Sequence, residues 1–148
     1  RHFASKAQMF EGLIEFIEQS VLGLVQQITQ RETNPHQCAV RLVAMVLQFG
    51  EKNPGMTRVM VGDALLGEND RLMDRMNLFF DKIESSLRQS FRFYVASKNH
   101  NNTQAEAQLR ASVAISFILG RLQRFSRSEF KRLPTEHLEA SLSIICAR

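Results

Sequence analysis

The chain has 148 residues, 44% of them hydrophobic and 23% charged, with a formal net charge of +4. That length supports one domain with a real core and is too short to expect two, and the mild positive balance tolerates acidic partners without demanding them. The two cysteines, Cys38 and Cys146, lie far apart inside apolar stretches, which predicts buried free thiols in a reducing cytoplasm; no apolar run is long enough to cross a bilayer.

Three prolines and seven glycines separate long stretches whose apolar residues recur at helical spacing, so the predicted class is all-α, with about six helices. The first helix is predicted to start at Ser5, where Ser5-Lys6-Ala7-Gln8 has the form of a capping box, and to run to about Arg31. Its seam is Phe10, Ile14, Ile17, Val21, Leu24 and Ile28, a stripe of coiled-coil width along one face. Asn34-Pro35 opens a second helix through about Lys52, with Cys38, Leu42, Val46 and Phe49 inward. Asn53-Pro54 restarts the chain, Asn53 as cap and Pro54 in the first turn, for a third helix from Gly55 to Leu66.

A long amphipathic helix is expected from Asp70 to about Ser97, on Leu72, Met76, Phe79, Ile83, Leu87 and Phe91. After a polar break at Lys98 to Asn102, a second capping box, Thr103-Gln104-Ala105-Glu106, starts a helix reaching Phe125 or Arg127. Leu133-Pro134-Thr135 then turns the chain into a last helix on Leu138, Leu142 and Ile145. Val113 to Leu119 is apolar nearly all round, which requires two buried faces, one on the chain's own core and one on a second copy. Pairing the last two helices of each subunit gives a two-fold four-helix bundle, and the expected dimer contacts are Ile115, Ile118, Leu122, Leu138, Leu142 and Ile145.

Catalytic chemistry is not in evidence in this sequence. The four histidines, His2, His36, His100 and His137, are scattered without a second ligand at helical spacing, and no GxSxG, P-loop, GxGxxG or CxxC occurs. The expectation is a non-enzyme with no metal and no cofactor. The densest basic run, Arg121, Arg124, Arg127, Lys131 and Arg132, suits either phosphate or a solvated helix end near a favourable dipole.

One face does not belong to the predicted core. At about 100° per residue, Phe16 points roughly 120° away from the seam of the first helix. In the second helix, Arg41, Met45, Gln48 and Lys52 fall within an arc of about 60° beside the core face, and Asn53 follows at the helix end. An aromatic anchor beside an adaptable Met and cations is what a groove for a short acidic-apolar peptide offers. An off-stripe Phe covered by another helix is the alternative.

Arg1-His2-Phe3-Ala4-Ser5-Lys6 resembles the end of the DNA-recognition helix of the TetR family and the start of the next helix, where that family writes Leu-Tyr-x-His-Phe-x-x-Lys. The blocks Leu13 to Glu18, Phe49 to Gly55, Gly62 to Leu65 and Arg127 to Lys131 are similar, in order, to the nucleoid-occlusion group of that family. The resemblance implies a TetR-like C-terminal domain over residues 5–148, preceded at 1–4 by the remnant of a helix-turn-helix head whose remainder lies upstream. It further implies a cytoplasmic, nucleoid-associated homodimer that binds specific DNA sites through that head, engages the C-terminal tail of FtsZ and prevents septation over unsegregated DNA.

In that group the tail-binding groove matches Phe16, Met45, Gln48, Lys52 and Asn53, and the phosphate-contacting lysine matches Lys6, with His2 as a second contact. The sequence departs from the group with Gln48 where relatives can carry glycine, and with Lys52 and Leu24 where they can carry arginine. A TetR-type repressor responding to a small ligand is the alternative, in which Met45, Met60, Met73, Met76, Phe79 and Phe80 line an effector cavity rather than fill the core.

Overall fold

The computed structural model describes residues 2–98 and 101–148, with side chains from Ser5 onward. Every regular element among these residues is helical. They are α1 (His2–Arg31), α2 (Pro35–Lys52), α3 (Pro54–Met60), α4 (Asp70–Ser97), α5 (Thr103–Arg127) and α6 (Leu138–Ile145), with a single 3-10 turn at Asp63–Leu65. The short links between α1 and α2 and between α4 and α5 let these sequence neighbours pack as antiparallel pairs, while the single residue Asn53 separates α2 from α3.

Local chemistry accounts for the ends. The Asn34 side chain accepts from the Gln37 amide at 3.0 Å with Pro35 in the first turn of α2, and the Asn69 side chain accepts from the Arg71 amide at 2.9 Å to start α4. The α5 terminus closes with Glu129 and Phe130 both at positive φ, where the Phe130 amide returns to the Phe125 carbonyl at 2.8 Å and the two rings meet edge-on at 5.1 Å.

Three boundaries differ from expectation. The helix at Ser5 already runs from His2, so preceding carbonyls, not a capping box, serve its amides. Asn53 does not cap α3; its side-chain amide turns back to the Phe49 carbonyl at 2.8 Å, while the Thr57 hydroxyl donates to the Gly50 carbonyl at 2.8 Å and closes the α2–α3 corner. The predicted helix from Gly55 to Leu66 is broken at Gly62, whose φ of 92° is left-handed and ends α3.

The core is one cluster to which all six helices contribute, with Ile14, Ile17, Leu42, Leu47, Ile83, Leu87, Ile118 and Leu122 fully enclosed. Met60, Met76, Phe79 and Phe80 fill this interior, the two phenylalanines edge-on at 5.1 Å. Helix α2 is central, packing on α1, α3, α4 and α5. Gly50 is the close approach in that contact: a Cβ there would collide with Leu122 of α5. The cysteines are free and buried, and the Ser90 hydroxyl donates to Cys38 Sγ at 3.2 Å.

The terminus of the described chain is clasped by three helices. His36 of α2 donates from Nε2 to the Cys146 carbonyl, Arg110 of α5 donates to the Ala147 carbonyl, and the Tyr94 hydroxyl of α4 donates to the Arg148 carbonyl at 3.1 Å. Arg121 ties the approach to α6, donating to the Pro134 and Glu136 carbonyls and to Ser141 Oγ while its guanidinium lies 4.7 Å from the Phe117 ring centre. These bonds fix α6 on α5. No helix among the described residues is long and apolar enough to cross a membrane.

Candidate partner-binding surface

The α1–α2 edge leaves an open groove of about 420 Å³, with Leu24, Gln27 and Arg31 on one wall and Arg41, Met45 and Gln48 on the other. Leu24 was expected in the seam and is instead 37% exposed, while Val25 is buried. The reason is angular: Leu24 lies at the edge of the stripe on the Phe16 side, where α2 leaves space, whereas Val25 turns toward the core. Phe16 is 51% exposed, so no other helix among the described residues covers it. Met9, seven residues earlier on the same face, is exposed too.

Of the five residues expected here, Met45 and Gln48 line this groove. Phe16, Lys52 and Asn53 lie outside its lining. The antiparallel register that sets Arg41 beside Arg31 and Gln48 beside Leu24 carries Lys52 and Asn53 onward in the direction of the Phe16 turn. Lys52 and Gln48 are exposed, Met45 is half-buried, and the half-buried Asn53 spends its amide on Phe49. Arg41 is partly neutralised by Glu32 at 3.4 Å. The groove therefore offers apolar side chains with Arg31 and Arg41 at one end, and Lys52 is exposed beyond its lining on α2. Gln27 and Arg31 were not expected to line it; Leu24, assigned to the seam by periodicity, was marked out only as a position where relatives of the resembled group can carry arginine.

Lys6, the expected phosphate contact, stands near the start of α1 with its Nζ 3.1 Å from Glu68 Oε2. Two further ion pairs join α1 to α4, Glu11 with Arg71 at 3.8 Å and Glu18 with Arg75 at 2.5 Å. The His2 side chain lies outside the described residues.

The expected dimer contacts divide. Ile118 and Leu122 are fully buried in the chain's own core, and Ile115 and Leu142 nearly so, so these four are not free to meet a second copy. The helical period misplaced them: the core takes Ala107, Ala111, Ala114, Ile118 and Phe125, and the opposite face of α5 carries Leu109, Val113, Ser116 and Gly120. Leu109 is 64% and Val113 44% exposed, and space beside Gly120 is open. Leu138 and Ile145 of α6 are half-buried, and Ile144 is exposed.

The basic run has separate duties. Arg121 is the α6 tie, with its pKa lowered first by burial and then by Arg124. Arg132 pairs with Glu136 at 3.2 Å, holding that carboxyl below its usual range. No group of three or more His, Cys, Asp or Glu close enough to hold a metal occurs among the described residues.

The family described as Tetracyclin repressor-like, C-terminal domain, of SlmA-like type, matches residues 36–148. The chain is 45% identical over 145 residues to the nucleoid occlusion factor SlmA of Idiomarina loihiensis, covering 98% of this chain and 74% of that protein. The protein of the same name from Shewanella sediminis is 45% identical over 139 residues, covering 94% of this chain and 70% of the relative. That of Shewanella amazonensis is 43% identical over 145 residues, at 98% and 73% coverage.

Proposed function

Because this chain belongs to the SlmA-like group of tetracycline-repressor-like C-terminal domains, the nucleoid occlusion factors, we propose that it is the dimerising, partner-binding body of a protein that keeps FtsZ rings from assembling over the chromosome. On this reading a helix-turn-helix head lies upstream of the TetR-like body at residues 5–148, and base contacts from that head select the DNA site. Lys6 adds a phosphate contact that sets position rather than sequence. The protein is regulatory rather than catalytic, and it acts at the nucleoid.

The observation that carries the partner assignment is the exposed Phe16 on α1, about two turns before Leu24, which lines a groove with Arg31, Arg41, Met45 and Gln48, while Lys52 is exposed at the end of α2. A short peptide with apolar residues between carboxylates, the chemistry assigned to the FtsZ tail, buries its apolar side chains on Phe16 and Met45 and sets its carboxylates toward the cations. Lys52 supplies a point charge rather than a bidentate fork, so the charged contact tolerates small shifts of the peptide. The test is binding of an FtsZ tail peptide to the full-length protein on DNA. Phe16→Ala and Lys52→Asp are expected to lower affinity about tenfold with fold and dimer intact. Undiminished binding in both variants removes this surface from the account.

We infer that the homodimer forms through the outer face of α5, on Leu109, Val113, Ser116 and Gly120, with Leu138, Ile144 and Ile145 of α6 at its margin. Small residues at Ser116 and Gly120 let two copies of α5 approach closely, and two helices from each subunit then make the four-helix bundle.

A further inference from the structure

Lys6 is the residue at which the proposed DNA contact and an internal contact of the fold compete. Its side chain is 55% exposed, while that of Glu68, 3.1 Å away, is only 11% exposed. Glu68 stands in the link between α3 and α4, directly after Gly67, whose φ of 81° is left-handed, and its amide donates to the Leu65 carbonyl at 3.0 Å. The same link is tied at its other end by Ser126 of α5, whose hydroxyl donates to Asp63 at 3.0 Å. The other two α1 ion pairs run in the opposite sense, with the acid on α1 and the arginine on α4. Lys6 is the one cation of the three that α1 contributes, and among the described residues it is the only ion-pair partner of Glu68.

We propose that Glu68 is a positioning residue for Lys6: it holds the ammonium in the DNA-free protein and yields it to a backbone phosphate on binding, so that Glu68 sets DNA affinity through Lys6. The proposal rests on the reading of Lys6 as a phosphate contact. An ion pair with a half-exposed lysine is weak enough for a phosphate to displace, yet every binding event must first break it. Once Lys6 leaves, a largely sheltered carboxylate loses its counter-charge, and Glu68 loses its ion pair to α1. DNA binding is thereby felt in the α3–α4 link.

The test uses the full-length protein with its natural upstream segment and a mixed-sequence DNA duplex, whose binding is dominated by phosphates. Four forms are compared: unaltered, Lys6→Gln, Glu68→Gln and the double variant. Glu68→Gln is expected to tighten binding about two- to fivefold when Lys6 is present and to have no effect in the Lys6→Gln background. Hydrogen exchange at the Glu68 amide is expected to speed up on DNA binding in the unaltered protein and to stay unchanged in Lys6→Gln. Equal tightening by Glu68→Gln in both backgrounds means that its charge acts through space on DNA, and overturns the proposal; no tightening with Lys6 present overturns it as well. Lys6→Gln itself is expected to lower the salt slope of binding by about 1. An unchanged slope removes the phosphate reading of Lys6, and this proposal with it, a failure distinct from loss of coupling alone.

Discussion

Gly50 and Cys146 show what the packing demands of single residues. At Gly50 an added Cβ collides with the end of the Leu122 side chain, which is fully buried, while the Gly50 carbonyl is held by the Thr57 hydroxyl. Gly50→Ala is therefore expected to lose about 1–3 kcal/mol of stability through overpacking, read as a lower urea midpoint with unchanged slope. Phe16→Ala, on an exposed side chain, is expected to shift that midpoint by no more than about 0.5 kcal/mol. At Cys146 burial pushes the thiol from 9.0 to about 11, with Arg110 opposing. The folded state thus holds the proton longer than the unfolded chain does. Stability from this group is complete below the ordinary thiol range and falls as pH rises toward 11. At about pH 9, where an ordinary thiol is half ionised, iodoacetamide should leave Cys146 unmodified in the native protein and label it in urea; rapid native labelling would show that the site opens.

At the scale of the helix, the outer face of α5 carries the prediction with the plainest readout. Val113→Asp places a charge on that face without entering the core, since Val113 is 44% exposed. It is expected to give a folded monomer at micromolar concentration by analytical ultracentrifugation, whereas a variant that remains dimeric places the interface elsewhere. The helices themselves were largely legible in the sequence. Asn34-Pro35 marks the start of α2 through a cap that forms, and the 3.6-residue period of α4 identifies its buried face from Leu72 to Phe91. Periodicity was less informative where a helix has two apolar faces. In α5 the pattern announces that two faces need burial but not which one the chain itself covers, and Ile118 and Leu122 went to the subunit interior. In α1 the boundary between Val25 and Leu24 depends on where α2 stops covering the stripe, a tertiary fact. The break at Gly62 was missed for a related reason: a glycine inside a helical pattern reads as tolerated, and only the left-handed φ reveals an end.

Across the whole molecule, the helices enclose one core and leave contrasting surfaces around it: an apolar-and-basic groove between α1 and α2, and an apolar face with small residues on α5. Of the six methionines and phenylalanines that an effector-sensing repressor would spread around a cavity, Met60, Met76, Phe79 and Phe80 are buried in that core, while Met73 is half-buried against it and Met45 lines the surface groove. The candidate groove was half legible. Phe16 betrays itself by its angle, and the Met45 to Lys52 strip by its mixture of types, but the contribution of Arg31 and Gln27 follows only from how α1 lies on α2. The central claim is that the working surface lies on the outside of the body, so it should function without the DNA-binding head. The most direct measurement is binding of an FtsZ tail peptide to this 148-residue chain by fluorescence anisotropy, with Phe16→Ala alongside. The account predicts saturable binding to the chain and about tenfold weaker binding to Phe16→Ala at equal stability. No binding to the chain, or equal binding to the two forms, would contradict it.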